Sequence, residues 1–375
     1  MLTATLTLLL AASWMCIHWD LDRTIAARFY TPGQGWLEKE AQPWHGLYLY
    51  GTFPGIVLTL ACLVGWIWVR FRSPESQWHK YFLLVVLTSV LGAGILVNGF
   101  LKPYWGRPRP NQIRELGGKY DYHHVLTPGI AGKGKSFPCG HCTMGYLFVA
   151  LFYFRRKSPA LAYTGGSFGL IYGSVVGMAR VVQGAHFASD CLWSLGVIWL
   201  TASALYFFIL KIPSVKKLRP SPLNTRQKRL MAAIAALLAA LIIVGFMTRR
   251  PFFETYYNAG SLWSVESEIR ELRVGLRGGF DSMKIRYTDD PHVLVLIHSQ
   301  GFAWPGCAQF LSIDQSKRVG ETFEIVYRLD AKGYFSELTH EIEVTLPRRL
   351  KERIRVVFLD EAGKPQEVKN PDPTD

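Results

Sequence analysis

The chain has 375 residues, of which 49% are hydrophobic, 14% aromatic and only 19% charged. This composition excludes a disordered chain and argues against a wholly soluble enzyme of one domain. The charge is uneven, because residues 1–250 hold 26 Lys and Arg against eight acids, a net charge of +18, whereas residues 251–375 carry a net charge of −4. The cations lie between long apolar runs, so they indicate membrane-flanking loops and anion ligands, and we expect no nucleic-acid partner.

Seven apolar segments predict membrane-spanning helices, because about 20 helical residues are needed to cross a hydrocarbon core of roughly 30 Å. The first segment lacks a basic n-region and a clear cleavage site, so we interpret it as an uncleaved anchor rather than a signal peptide. The fourth is short, and we expect it to begin below the membrane surface. The seven segments are Leu2–Trp19, Phe53–Val69, Tyr81–Phe100, Cys142–Phe154, Ala160–Val182, Cys191–Leu210 and Leu230–Met247.

Basic residues in short loops favour the cytoplasmic side of a membrane. Loops rich in Lys and Arg follow the second and fourth segments, and residues 211–229 hold seven Lys and Arg with no acid. These loops predict a cytoplasmic N-terminus, a basic cytoplasmic linker at 211–229 and a C-terminal region outside. The loop 101–140 also holds seven Lys and Arg. That loop favours the opposite orientation unless its cations bind an anion.

Beyond Arg250 the pattern changes to short, β-branched, partly alternating segments separated by Gly, Asp and Pro. This pattern predicts a small antiparallel β domain over residues 251–375. Its His292, His298 and His340 are scattered through strands, and we interpret them as core or surface residues rather than ligands. The predicted strands are Met283–Tyr287, His292–His298, Thr322–Arg328, His340–Leu346 and Ile354–Leu359.

Three polar clusters lie next to the apolar segments, where ionisable groups are costly and are therefore candidates for function. The first, between Lys102 and Pro110, directly follows the third segment and contains Lys102, Arg107 and Arg109 stiffened by three prolines. Arg presents a planar fork to phosphate oxygens and Lys a point charge, so this cluster predicts an anion clamp. The alternative is a basic loop that contacts lipid head groups.

The second cluster, residues 136–142, precedes the fourth segment. Backbone N–H groups at such a helix start favour an anion, and His141 has a side chain suited to proton transfer near neutral pH. The alternative is an interfacial His that contacts water.

The third cluster contains Arg180, His186 and Asp190, between the fifth and sixth segments. On a helix, His186 and Asp190 are neighbours at i and i+4, so the carboxylate can fix the tautomer of the imidazole and leave the other ring nitrogen as a nucleophile. The alternative is a structural His–Asp pair. All three clusters emerge on one face of the membrane in the predicted topology. We therefore expect two imidazoles and three cations to meet around one tetrahedral anion.

These motifs, read in order, resemble the signature of the type 2 phosphatidic acid phosphatase (PAP2) superfamily, which includes lipid phosphate phosphatases, lipid A and undecaprenyl-diphosphate phosphatases, glucose-6-phosphatase and vanadium haloperoxidases. The resemblance covers about residues 50–210 and implies a mainly α polytopic protein with a six-helix core, one extra C-terminal span and then the β domain. The motifs are K-x6-R-P (Lys102, Arg109, Pro110), P-C-G-H (residues 138–141) and A-R-x5-H-x3-D (Arg180, His186, Asp190).

The resemblance implies that His186 attacks phosphorus to form a phosphohistidine and that Asp190 orients it. His141 is implied to protonate the leaving oxygen and then to activate water. The phosphate oxygens are implied to bind Lys102, Arg109, Arg180, Cys139 and the Gly140 backbone N–H. No metal or other cofactor is implied, and the sequence offers no acidic cluster to hold a metal.

Two positions depart from the family pattern, which has Ser where this chain has Cys139 and Ala179. A thiol is a weaker donor than a hydroxyl, so we expect weakened but surviving activity. Cys139-Gly-His-Cys142 also resembles the active-site motif of protein disulfide isomerases. A thiol–disulfide redox protein, or a regulatory Cys139–Cys142 disulfide, is therefore an alternative, although membrane-spanning segments flank the motif.

The substrate predicted from the resemblance is a lipid phosphate that enters from the bilayer. The cationic loop 128–135 favours a multiply anionic head group, as in lipid A or undecaprenyl diphosphate. Transfer of phosphate to a second lipid is the alternative reaction. The prediction is a multi-pass protein of the bacterial inner membrane, with a transmembrane phosphatase domain (1–247) whose active site faces the periplasm. Its periplasmic β domain (251–375) is expected to bind an envelope partner or to cover the active site.

Overall fold

The computed structural model describes residues 2–366 apart from 33–34, 74, 133, 215–224, 259–268, 278, 360–362 and most positions between 227 and 249. The chain divides into a helical unit and a second unit that contains the β strands. The helical unit comprises Met1–Phe29, Glu38–Pro110 and His123–Phe246, and the β unit comprises Tyr30–Leu37, Asn111–Tyr122 and Met247–Asp375. Two short stretches from within the predicted transmembrane domain thus belong to the β unit.

The helices of the first unit follow the apolar segments. Several of them continue without a break into tighter or wider helical turns. They are α1 (Leu2–His18), α2 (Leu21–Ala27), α3 (Trp44–Tyr50), α4 (Phe53–Arg72), α5 (Trp78–Leu87) with a π-helical continuation (Thr88–Leu101), α6 (Lys102–Trp105), α7 (Gly140–Tyr146) with a 3₁₀ continuation (Leu147–Arg156), α8 (Pro159–Val182) and α9 (Ala188–Ala204) with a π turn (Leu205–Ile209). Short 3₁₀ turns cover Pro110–Gln112, Arg114–Leu116 and Ile212–Ser214.

Four helical segments within the described part of the chain are long and apolar enough to cross a membrane, so the protein is a multi-pass membrane protein. Helices α1 and α2 pass the same test as a pair bent by 63°, and they correspond to the predicted anchor. The seventh predicted span, Leu230–Met247, lies mostly outside the described residues. The four segments are Trp44–Arg72, Trp78–Gln112, Pro159–Val182 and Ala188–Ile209.

The fourth predicted span differs from the others. Helix α7 and its 3₁₀ continuation have seven and ten residues, which together lie at the lower end of the length of a bilayer crossing. Their side chains are mostly buried among other helices, and Leu147, Tyr153 and Phe154 belong to the main helical core. The apolar sequence here therefore reflects a protein interior and not a lipid-facing surface.

Small residues let α7 and α8 approach each other closely, as is common in membrane helix pairs. A Cβ atom on Gly145 would lie 2.8 Å from the Cα of Gly173, and a Cβ on Gly173 would lie 2.2 Å from Cδ1 of Tyr146. This contact fixes the start of α7, and with it His141, against the helix that carries Arg180.

The β unit contains two sheets around a shared apolar core. Their strand orders are β1-β4-β7-β3 and β5-β6-β2-β8-β9. The strands are β1 (Arg250–Asn258), β2 (Glu271–Arg277), β3 (Ser282–Thr288), β4 (Leu294–Ala303), β5 (Ala308–Val319), β6 (Thr322–Lys332), β7 (Phe335–Pro347), β8 (Arg355–Leu359) and β9 (Pro365–Gln366). All five predicted strands are present within β3, β4, β6, β7 and β8 or overlap them.

The prediction of an antiparallel domain was wrong, because both sheets are mixed. Strand β2 pairs in parallel with β6 and with β8, and β3 pairs in parallel with β7. The partners of each parallel pair are far apart in the chain, so no hairpin constrains their direction. Alternation of apolar residues reports which face of a strand is buried, and that pattern is the same in either direction.

We expect Gly173→Ala to destabilise the helical unit, because the added methyl group overlaps the Tyr146 ring and overpacking costs about 1–3 kcal/mol. The measurement is the melting temperature of the purified protein in detergent. Gly94→Ala is the matched control, since a Cβ at Gly94 meets only the Ser89 carbonyl oxygen, at 3.7 Å. Equal melting temperatures for the two variants would contradict the close approach of α7 and α8.

Candidate active site

Asp190 lies in the first turn of α9 and is fully buried. Its Oδ1 accepts a hydrogen bond from Arg107 Nη1 at 2.5 Å, and its Oδ2 accepts from Ser136 Oγ at 2.6 Å and from the Phe187 backbone N–H at 2.8 Å. The last bond caps α9. One carboxylate thus joins the loops of all three sequence clusters.

The Arg107 guanidinium is fully buried and binds two carboxylates. Besides Asp190, its Nη2 donates to Asp22 Oδ2 at 2.8 Å, its Nη1 donates to Ser189 Oγ at 2.9 Å, and its Nε donates to the His123 carbonyl at 2.9 Å. The predicted clamp of three cations is therefore corrected, because Arg107 binds protein carboxylates. Lys102 and Arg109 remain as the candidate anion ligands of that loop.

Asp22 is the residue that sequence reasoning missed. It lies on α2, its side chain is 1% exposed, and besides Arg107 it accepts hydrogen bonds from the Ser189 backbone N–H at 3.0 Å and from Ser189 Oγ at 2.5 Å. The sequence did contain one signal for this residue. Asp22 is one of only eight acidic residues in residues 1–250, and it lies three positions after the end of the apolar segment Leu2–Trp19. Its partner could not be identified because Arg107 is 85 positions away in the chain.

His186 lies in the loop between α8 and α9, two residues before α9 begins, and not on a helix as predicted. Its Nδ1 is 2.6 Å from the Ser136 carbonyl oxygen and 3.8 Å from Asp190 Oδ2. A carbonyl oxygen only accepts, so Nδ1 carries the proton. The predicted direct hydrogen bond to Asp190 is thus replaced by one to Ser136, whose own hydroxyl donates to Asp190.

This hydrogen bond leaves the other ring nitrogen of His186 available. His186 is fully buried, and its Nε2 makes no hydrogen bond to any residue that the structure describes. Burial lowers the pKa of this imidazole, but the neighbouring Cys139 sulfur and the Asp190 carboxylate raise it more, so the net direction is upward. The arrangement is that of an oriented nucleophile whose positive form is stabilised.

The second and third sequence clusters also meet at Tyr48 of α3, a residue that the sequence did not indicate. The ring of Tyr48 lies 5.4 Å from the ring of His141, and the guanidinium of Arg180 lies 4.4 Å from the same Tyr48 ring. Arg180 Nη1 donates to Gln183 Oε1 at 2.6 Å. Arg180 Nε is buried and makes no hydrogen bond to the described residues, so it can donate to an anion.

The remaining predicted residues lie at the same end of the helices. Lys102 is 4% exposed and close enough to His186 to oppose its protonation, and Arg109 is 6% exposed. Cys139 caps α7, its backbone N–H donates to the Asp190 carbonyl at 3.4 Å, and Gly140 begins that helix. The structure therefore brings Lys102 and Arg180, the two imidazoles and the start of α7 into one region.

The comparisons with known proteins agree with the sequence motifs. Residues 82–214 match the family model described as the PAP2 superfamily. Three similar proteins carry the name lipid A 4'-phosphatase. The protein from Francisella tularensis subsp. novicida is 26% identical over a region that covers 40% of this chain and 67% of its own length. The protein from Rhizobium leguminosarum is 31% identical and covers 38% of this chain and 58% of its own length. The protein from Rhizobium etli is 32% identical and covers 33% of this chain and 46% of its own length.

The chain thus spans only about half the length of the two rhizobial relatives. A solved structure, the transmembrane PAP2-type phosphatidylglycerolphosphate phosphatase of Bacillus subtilis, is 19% identical and covers 57% of this chain and 98% of its own, with a TM-score of 0.38. The matched region contains every residue of the three motifs, from Lys102 to Asp190. Residues 82–214 of the helical unit thus match the model of the PAP2 superfamily.

Proposed function

We propose that this protein is a membrane-bound phosphoric ester hydrolase that removes phosphate from an envelope lipid through a phosphohistidine on His186. The observation that carries the proposal is the orientation of His186. Its Nδ1–H is held by the Ser136 carbonyl, and its Nε2 has no hydrogen-bond partner among the described residues in a fully buried site. A nucleophile needs this orientation, whereas a purely structural His would use both nitrogens.

In the first step, Nε2 of His186 attacks phosphorus and the bond to the lipid oxygen breaks. His141 gives its proton to that oxygen, and the lipid leaves as an alcohol or, from a diphosphate, as a monophosphate. In the second step, His141 takes a proton from water, the water oxygen attacks phosphorus, and the P–N bond breaks to release phosphate and His186. Lys102, Arg109, Arg180, Cys139 and the Gly140 backbone N–H bind the phosphate oxygens, since such transfer depends mainly on positioning and charge stabilisation.

Asp190 acts through its neighbours in this proposal. When His186 bonds to phosphorus it becomes positively charged, and the carboxylate 3.8 Å from its Nδ1 stabilises that charge. The same carboxylate holds Ser136 through its hydroxyl, and so holds the carbonyl that fixes the tautomer. Arg107 fixes the carboxylate in turn.

The proposed substrate is the phosphate of lipid A, because the three named relatives are lipid A 4'-phosphatases. Undecaprenyl diphosphate is the second candidate, on the strength of the cationic loop 128–135. A lipid hydroxyl in place of water in the second step would give phosphotransfer instead. The periplasmic orientation of the site, and an envelope partner for the β unit, stay predictions.

The thiol–disulfide alternative has less support. Residues 139–142 begin a helix packed among other helices, and among the described residues all strands longer than a single bridge lie in the β unit. Cys139 and Cys142 are both free thiols in the structure. The sulfur of Cys142 lies 3.3 Å from the sulfur of a third cysteine, Cys191, which the disulfide isomerase motif does not include.

His186→Ala should abolish phosphate release from lipid A, because it removes the proposed nucleophile. The measurement is inorganic phosphate released by the purified protein in detergent. The matched control is His79→Ala, which should leave turnover unchanged. His79 lies near the start of α5, at the opposite end of that continuous helix from Lys102. Retained activity in His186→Ala would contradict the phosphohistidine mechanism.

Asp22→Asn should lower both the melting temperature and kcat, because it leaves the buried Arg107 with one carboxylate. Removing one partner of a buried ion pair costs about 3–5 kcal/mol. Asp20→Asn is the control, since Asp20 pairs with Arg23 and its side chain is 39% exposed. If the two variants have the same melting temperature and the same kcat, the role of Asp22 is refuted.

The rate should fall at acidic pH, because attack requires His186 to be neutral at Nε2. Cys139 and Asp190 raise its pKa above 6.5, against burial and Lys102, so we expect the acid limb of kcat/KM to lie above that pH. Cys139→Ser removes the largest raising interaction and should move the limb to lower pH. The measurement is the pH profile of phosphate release for both proteins, and a shift to higher pH would contradict the assignment.

A further inference from the structure

Three thiols meet beside the candidate active site, and the proposed reaction uses at most one of them. The Sγ atoms of Cys139, Cys142 and Cys191 all lie within 4.8 Å of one another, and those of Cys142 and Cys191 are 3.3 Å apart. All three residues are buried. Cys139 caps α7, Cys142 lies in its first turn and Cys191 lies in the first turn of α9, so the packing of two helix starts creates the cluster.

The spacing of the sulfurs fits a thiolate metal site. A Zn–S bond is about 2.3 Å, which places thiolates that share one ion roughly 3.8–4.0 Å apart. The one separation of 3.3 Å is shorter than this value, and no pair of the three sulfurs is more than 4.8 Å apart. A lone buried Cys is ordinarily an inert apolar residue. Three sulfur atoms that can all contact one ion are soft ligands, and soft ligands select thiophilic metal ions.

We propose that Cys139, Cys142 and Cys191 bind a thiophilic divalent ion of the Zn²⁺ class, and that the bound ion inhibits phosphoryl transfer at His186. The inhibitory half rests on the proposed function, whereas the binding half does not. Binding is not a redox step, because three S–H bonds lose three protons to solvent and three metal–sulfur bonds form. The product, three thiolates on one divalent ion, carries a net charge of −1.

The surroundings favour that charge. Lys102 is close enough to His186 to act on its charge, and His186 interacts with Cys139 in the same way. A site that is built to hold the oxygens of a phosphate therefore also stabilises a buried thiolate.

The effect on the reaction follows from the position of Cys139. It is both a ligand in the proposed metal site and the neighbour of the nucleophile His186. An ion held there leaves a cluster of net charge −1 beside the proposed phosphate site, and this charge opposes the binding of an anionic phosphate. The ion also draws the Cys139 sulfur away from the phosphate. Both changes lower the rate.

The binding test uses the full-length protein in detergent, kept reduced with a phosphine and titrated with Cd²⁺, whose thiolate complexes absorb in the ultraviolet. All proteins carry Cys307→Ser, because Cys307 in the β unit is the half-buried thiol of the six. We expect one equivalent of Cd²⁺ per chain. The ultraviolet absorption band of the Cd²⁺–thiolate complex should be lost in the double variant Cys142→Ala/Cys191→Ala. It should be kept in the control Cys62→Ala, which removes a buried thiol of the main helical core. An equal band in these two variants, or none in the parent, overturns the site.

The activity test adds Zn²⁺ to the same proteins. Phosphate release by the parent and by Cys62→Ala should fall at least about 10-fold and recover on chelation, whereas Cys142→Ala/Cys191→Ala should keep its basal rate and resist Zn²⁺. A cluster-dependent band without inhibition overturns the inhibitory half. A cluster-dependent band in a protein that releases no phosphate from any lipid supports the metal site and refutes the proposed function. If the double variant does not fold, the single Ser variants replace it, and unchanged Cd²⁺ affinity in both overturns the site.

Discussion

The structure of the site depends on one buried cation between two carboxylates. Arg107 is fully buried and binds Asp22 of α2 and Asp190 of α9, so it joins the N-terminal helices, the loop after α6 and the start of α9. Removing such charges from water is costly, and the pair is tolerated only because nearly every donor and acceptor is satisfied. Its value is geometric, because it allows a single arrangement of three elements that are distant in the chain.

The position of His186, the proposed nucleophile, follows from that arrangement. Asp190 accepts the Ser136 hydroxyl, and the carbonyl of the same Ser136 accepts the Nδ1–H of His186. The backbone carbonyl of Ser136 therefore fixes the tautomer of His186, and the carboxylate of Asp190 holds Ser136 in place. A change at Asp22 can reach His186 by this route. The proposed phosphatase activity and its proposed inhibition by a bound ion both depend on this one imidazole.

Much of the fold could be predicted from the sequence because its signals are local. Apolar segments correctly indicated α1 and the four long helices, and β-branched alternation indicated five strands. The resemblance to the PAP2 superfamily was predicted from three short motifs, and residues 82–214, which contain them, match the model of that family. The direction of the strands could not be predicted, since β2 pairs with β6 and β8 across long stretches of chain. The 3₁₀ segment after α7 is buried among other helices, and its composition does not show this because lipid-facing and core residues are equally apolar.

The sequence by itself determined which residue types are available to an anion: Lys102, Arg109, Arg180, His141 and His186, each in a motif of fixed spacing. Tertiary structure alone decided that Arg107 binds protein carboxylates, that Asp22 and Tyr48 join the site, and that Ser136 rather than Asp190 accepts the proton of His186. It also decided that Cys191 joins Cys139 and Cys142. The physical reason is that hydrogen bonds and sulfur contacts act over about 3–5 Å, whereas these partners are tens to more than a hundred residues apart in the chain.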